Sequence, residues 1–204
     1  MSQPGAITHA PEGMVDREMP NATSGKVGMW VYLVTDAMTF GGLLIAYAVL
    51  RASGDWPNPA HHLGITLSGL GTFILICSSV SMVLAIRGAG MSDRKQLVGW
   101  LLATIVGGLS FLGIQAYEYT HLIHDGMSLA HFHEGNNLFG STFYAITGFH
   151  GAHVFSGVTY LTVILIKSLR GRYDGDPSHV EIAGLFWHFV DLIWILVFTF
   201  VYLL

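Results

Sequence analysis

The sequence predicts an all-α fold, a polytopic membrane protein built as a bundle of five transmembrane helices. Hydrophobic residues make up 52% of the 204 and charged residues only 11%. Mean hydropathy is +0.54, more apolar than one soluble core requires. Apolar windows sized for a ~30 Å hydrocarbon layer, which a helix crosses in about 20 residues, occur five times.

Residues 1–27 are polar and carry Glu12, Asp16, Arg17 and Glu18 without the basic-then-apolar pattern of a secretory signal, so they read as a retained N-terminal tail. The transmembrane domain, residues 28–204, then holds spans at about 28–50, 64–86, 98–122, 138–168 and 182–204. The fourth is longer than a span needs and is expected to tilt or to run past the lipid.

The basic residues set the direction. Arg17, Lys26, Arg87, Arg94, Lys95, Lys167, Arg170 and Arg172 all fall on one side, and Arg51 stands alone on the other. Under the positive-inside rule the N-terminus is cytoplasmic and the C-terminus outside. Net charge is -4, and the cations sit in short loop clusters, which excludes a nucleic-acid-tracking face. Cys77 is the sole cysteine, so an intrachain disulfide, a CxxC zinc site and a CxxCH haem attachment are all excluded.

The third loop, "HDGMSLAHFHEGNN", combines His124, Asp125, His131, His133 and Glu134, and both a metal-binding and an ordinary polar reading stay open there. Small residues step by four at Gly148, Ala152 and Ser156, and again at Gly64 and Ser68. Such stripes are expected where helix backbones approach in lipid.

Titratable residues lie well inside four spans: Asp36, Glu118, His150 with His153, and His188 with Asp191. A charged group at a helix centre costs about 2.5–3.5 kcal/mol on insertion scales, so these groups are expected to face protein or water. Spacing of i, i+3 puts each His pair or His–Asp pair on one helix face. At ~1.5 Å per residue Asp36 and Asp191 lie roughly 12–14 Å from the cytoplasmic edge, His153 lies near the midplane and Glu118 lies toward the outer surface. A cluster of Asp36, His150, His153, His188 and Asp191 between helices one, four and five is therefore expected. Three uses of it stay open: a metal site, a proton or ion pathway, and a polar network that fixes helix packing.

Four blocks, "GMWVYLVTDAMTFGGLLIAY" (28–47), "QAYEY" (115–119), "GSTFYAITGFHGAHVFSG" (140–157) and "WHFVDLIWILVFTFVY" (187–202), resemble in order those of subunit III of haem-copper terminal oxidases. The resemblance implies the five-helix form of that subunit, which lacks the first two helices of the seven-helix form. It implies a non-catalytic partner of the catalytic subunit I and of other oxidase subunits, with bound phospholipid. Haem and copper are then expected in those partners and no metal or other cofactor in this chain. The implied role is to sustain proton uptake and oxygen access during oxygen reduction to water, in a bacterial inner membrane, with cytochrome c favoured over quinol as donor. Glu118, His150, His153, His188 and Asp191 match family blocks, whereas Asp36 replaces a longer intramembrane Glu, so a packing or lipid-head role suits it better than a proton role. Arg87, Arg94 and Lys95 are candidates for anionic lipid head groups, worth roughly 1 kcal/mol each near the surface. Outside the family, the alternatives are an independent proton or ion pathway protein and a membrane metalloenzyme.

Overall fold

The computed structural model describes residues 24–53, 56, 64–127, 137–171 and 177–204, all helix and short connections. The helices are α1 (Ser24–Ala52), α2 (Ile65–Gly90), α3 (Arg94–His124), α4 (Asn137–Leu169) and α5 (Ser178–Val197), and α5 continues as a π-helix over Phe198–Leu203. All five are long and apolar enough to cross a membrane. Four of them begin before the expected span: α1 at Ser24, α3 at Arg94, α4 at Asn137 and α5 at Ser178. Hydropathy marks the hydrocarbon segment, while the hydrogen-bonded backbone carries on into the polar boundary. The expected tail therefore loses residues 24–27 to α1, and residues 1–23 lie outside the described residues.

The α2–α3 connection is a tight helical hairpin. Asp93 N–H donates to Gly88 O at 3.0 Å and Ser92 N–H to Ala89 O at 3.1 Å, the paired bonds of a Schellman turn. Ser92 takes the left-handed conformation that glycine usually supplies, φ 55°. Asp93 then caps α3, its side chain accepting from the N–H groups of Lys95 and Gln96. α3 closes with the same turn, and here Gly126 holds the left-handed position at φ 83°.

Helices α2 and α3 lie against one another, α4 packs on α3, and α5 touches α1, α2 and α4. α1 is the outer member, packed chiefly on α5 and α4. Lys26 meets Glu181 at one end of the bundle and the Arg51 guanidinium donates to the Leu204 main-chain oxygen at the other, so α1 and α5 run parallel. Lys26, Arg87, Arg94, Lys95, Lys167 and Arg170 share the first rim, as the charge pattern predicts, and Arg51 lies at the second.

The core is aromatic. Trp187, Trp194, Phe111, Phe139, Phe143 and Tyr202 are fully buried. Trp187 fits because α3 and α4 have no side chain where it lies: a Cβ on Gly108 would stand 2.5 Å from the Trp187 ring, and one on Gly157 3.1 Å from it. Gly108 and Gly157 are thus close helix approaches, as are Gly107 against Ser78 and Gly184 against Ile86. The expected stripe at Gly148, Ala152 and Ser156 is not a contact between these helices: Ala152 and Ser156 are exposed, and Gly148 is half-buried beside the Tyr119 hydroxyl. In lipid an outward small residue is as acceptable as an inward one, so spacing alone does not separate them.

Candidate functional site

The titratable groups expected to form one cluster separate into distinct contacts, all within the bundle. On α1 and α4, Asp36 and His153 meet: His153 Nε2 lies 3.2 Å from Asp36 Oδ1, with side chains 12% and 8% exposed respectively. The other ring nitrogen, Nδ1, is 2.8 Å from the Phe149 carbonyl oxygen. A carbonyl only accepts, so Nδ1 carries a proton. One further proton must then lie between Nε2 and Oδ1, giving either imidazole with carboxylic acid or imidazolium with carboxylate. The pair has no net charge either way, which makes its depth in the bilayer tolerable. Phe40 covers it, its ring centroid 5.3 Å from that of His153.

One turn away, His150 is completely buried and neither ring nitrogen has a hydrogen-bond partner among the described residues. Its surroundings are aromatic, with Trp194 at 4.9 Å and Phe111 at 5.8 Å between centroids. His150 therefore packs as a flat ring in the core and does not join the Asp36–His153 pair by a hydrogen bond.

On α2 and α5, Ser79 Oγ lies 2.6 Å from His188 Nδ1. Asp191, one turn further along α5, is buried, with Oδ1 unpartnered among the described residues. The Ser79 hydroxyl also faces this carboxyl. No hydrogen bond among the described residues connects this group to Asp36 or His153, so the expected five-residue network is two separate helix-to-helix contacts and a packed His150. Helix rotation explains the split: Asp36 faces α4, whereas His188 and Asp191 turn toward α2.

Glu118 lies near the second rim, as its place in α3 predicts, and is buried. Oε1 accepts from Ser68 Oγ at 2.8 Å and Oε2 from the Tyr202 hydroxyl at 3.1 Å. The Gly64 backbone N–H adds a third donor, so this carboxylate closes the open N-terminus of α2 from a neighbouring helix. The π-helical turn of α5 is what carries Tyr202 to it. Beside it Gln115 Nε2 donates to Thr147 O at 2.8 Å, and Tyr119 shares a 2.6 Å hydroxyl contact with Thr147, linking α3 to α4.

Ser68, Ser79, Tyr202 and Gln115 are participants that sequence reasoning did not single out. Ser68, expected only as a small packing residue, is a hydrogen-bond donor to Glu118. Arg87, Arg94 and Lys95 are exposed at the first rim. In the third loop His131, His133 and Glu134 lie outside the described residues, while Asp125 pairs with His121 at 2.8 Å. Among the described residues no three metal-ligating side chains converge.

Residues 15–204 match the family described as cytochrome c oxidase subunit III. The chain is similar to the cytochrome c oxidase subunit 3 of Corynebacterium diphtheriae, 34% identical over 198 residues that cover 95% of this chain and 93% of that one. It is 35% identical to the cytochrome c oxidase subunit 3 of Thermostichus vulcanus over 181 residues, 87% of this chain and 86% of the other. It is also 30% identical to a probable quinol oxidase subunit 3 of Staphylococcus saprophyticus over 193 residues, 93% and 94% of the two chains. Five helices fit to cross a membrane, and bacterial relatives matched over nearly their whole length, make this chain a member of the subunit III family of haem-copper terminal oxidases, a multi-pass component of such a complex in a bacterial inner membrane.

Proposed function

We propose that the chain is a non-catalytic scaffold that packs against the catalytic subunit I, with haem and copper held by partner subunits, and that it sustains proton uptake and oxygen access there. The carrying observation is the Asp36–His153 contact, which ties the outer helix α1 to α4 as a pair of zero net charge. Such a pair fixes the relation of two helices and leaves the bundle interior uncharged. The basic first rim is the cytoplasmic one in this reading, and phospholipid head groups bind at the rims. Exposed Arg87, Arg94 and Lys95 suit anionic heads on the first. On the second, Arg51, Tyr47 and Phe200 border a groove of about 490 Å³.

Cytochrome c is the proposed donor to the complex, supported by the description of the matched family and by relatives named cytochrome c oxidase subunit 3. Oxidation of reduced cytochrome c by the purified complex, compared with oxidation of a quinol, tests this part. The scaffold is tested by replacing His153 with Leu and purifying the complex through a tag on another subunit. This chain is expected to be lost from the preparation and activity to decay faster during turnover. Full retention with unchanged turnover lifetime would overturn the scaffold reading. Proton conduction by the isolated chain in vesicles would favour a pathway protein instead.

A further inference from the structure

Between α1 and α5 runs a groove of about 330 Å³, bordered by Trp30, Leu33 and Val34 on one side and Leu185, Phe189 and Leu192 on the other. Among the described residues, His188 is the sole titratable side chain on its wall. The Nδ1 atom of that ring is taken up by Ser79 on α2, at 2.6 Å, and the ring is half-buried. Nε2 is its remaining polar atom, without a hydrogen bond among the described residues. Ser79 thus holds the imidazole in place from behind, with Asp191 behind the hydroxyl. The groove side is left with one fixed polar point on an apolar wall. That is the make-up of a small-molecule site, mostly apolar with few oriented polar groups, and the volume falls at the lower end of the usual range of about 300–1,000 Å³.

The depth and charge of the groove select its ligand. His188 lies six residues past residue 182, where the apolar span of α5 begins, so about 9 Å along the helix into that span. A phosphate held there would be buried without a cation, because among the described residues no Lys or Arg lines the groove and Lys26, above it, is paired with Glu181. The complementary head is uncharged and makes one hydrogen bond. A hydroxyl both donates and accepts, so it suits either tautomer of His188. We propose that this groove binds an uncharged, long-chain aliphatic alcohol, with its hydroxyl on His188 Nε2 and its apolar body along Trp30, Phe189 and Leu192.

The test is photolabelling of the full chain, within its complex in phosphatidylcholine nanodiscs, with a diazirine-bearing hexadecanol. The matching diazirine alkane and a diazirine phosphatidylcholine serve as references. The expected result is preferential labelling by the alcohol of peptides containing residues 30–37 and 185–192. His188→Leu is expected to lower it about fivefold, the worth of one hydrogen bond, while labelling by the alkane stays unchanged. Ala37→Trp fills the groove, leaves His188 and Ser79 in place, and is expected to abolish labelling by all three probes. Displacement by unlabelled hexadecanol supports the site, and displacement by a short-tailed isoprenoid hydroquinone but not by hexadecanol would overturn the assignment to an alcohol. Equal labelling by alcohol and alkane, dominant labelling by phosphatidylcholine, or insensitivity to Ala37→Trp would overturn it. The last criterion stands even if His188→Leu fails to assemble.

Discussion

The Glu118 carboxylate of α3 and the Tyr202 hydroxyl in the π-turn of α5 are joined at 3.1 Å, 84 residues apart in sequence. Ser68 and Gly64 at the start of α2 meet the same carboxylate, so three helices converge on one side chain. Tyr202→Phe removes one donor and is expected to destabilise the bundle by about 1 kcal/mol. Glu118→Leu strands two buried hydroxyls and the α2 N-terminus and is expected to cost more. Thermal denaturation of the purified chain in one detergent, with wild type alongside, gives the ranking; equal loss in the two variants contradicts it.

The shared proton of Asp36 and His153 leads to a graded series. Asn at position 36 can donate its amide to Nε2, so Asp36→Asn is expected to stay close to wild type. Asp36→Leu leaves His153 Nε2 without a partner, with Nδ1 still on the Phe149 carbonyl, and is expected to cost about 1–2 kcal/mol, the scale found for polar contacts between membrane helices. The double variant Asp36→Leu, His153→Leu removes both polar groups and is expected to recover part of that loss. A double-mutant cycle on chain retention in the complex measures the coupling, and strict additivity would argue against the pair.

Where helices truly touch is a separate question for mutagenesis. Gly108→Val places new atoms in the Trp187 ring and is expected to prevent assembly of the bundle. Ala152→Leu projects outward from α4 and is expected to leave the stability of the isolated chain within about 0.5 kcal/mol of wild type. If Ala152→Leu is harmless to the isolated chain but lowers its yield in the complex, the outward stripe is in contact with another subunit.

Orientation is checked by thiol labelling. In a Cys77→Ala background, a cysteine at Lys95 is expected to react with an impermeant maleimide only after the cells are opened, and one at Ser53 in intact cells. The reverse pattern would invert the proposed topology.

The five helices are legible in the sequence because apolar length is a one-dimensional property. The polar partners are not, because a contact depends on how each helix is rotated about its axis, and helices apolar almost all round give little sign of that angle. Depth brings Asp36 to the level of His153 but brings Asp191 there too, so the pair itself is set by helix rotation. Ser79 carries no such mark: it is one of four serines in α2, and only the rotation of α2 against α5 distinguishes it as the partner of His188. Tyr202 is hidden for a different reason, since a regular α-helix over residues 198–203 would direct it elsewhere, and the π-turn has no simple sequence sign.

The position of α5 has a consequence for how the protein is made. α1 is made before α2 to α5, yet its main contacts are with α4 and α5. Throughout synthesis α1 is therefore an orphan span, its Asp36 carboxyl without His153 until α4 has inserted. The groove between α1 and α5 does not exist before α5 arrives. Insertion and folding are thus separate stages for this chain, and the nascent protein depends on surrounding lipid or an insertion factor to shelter α1 until release.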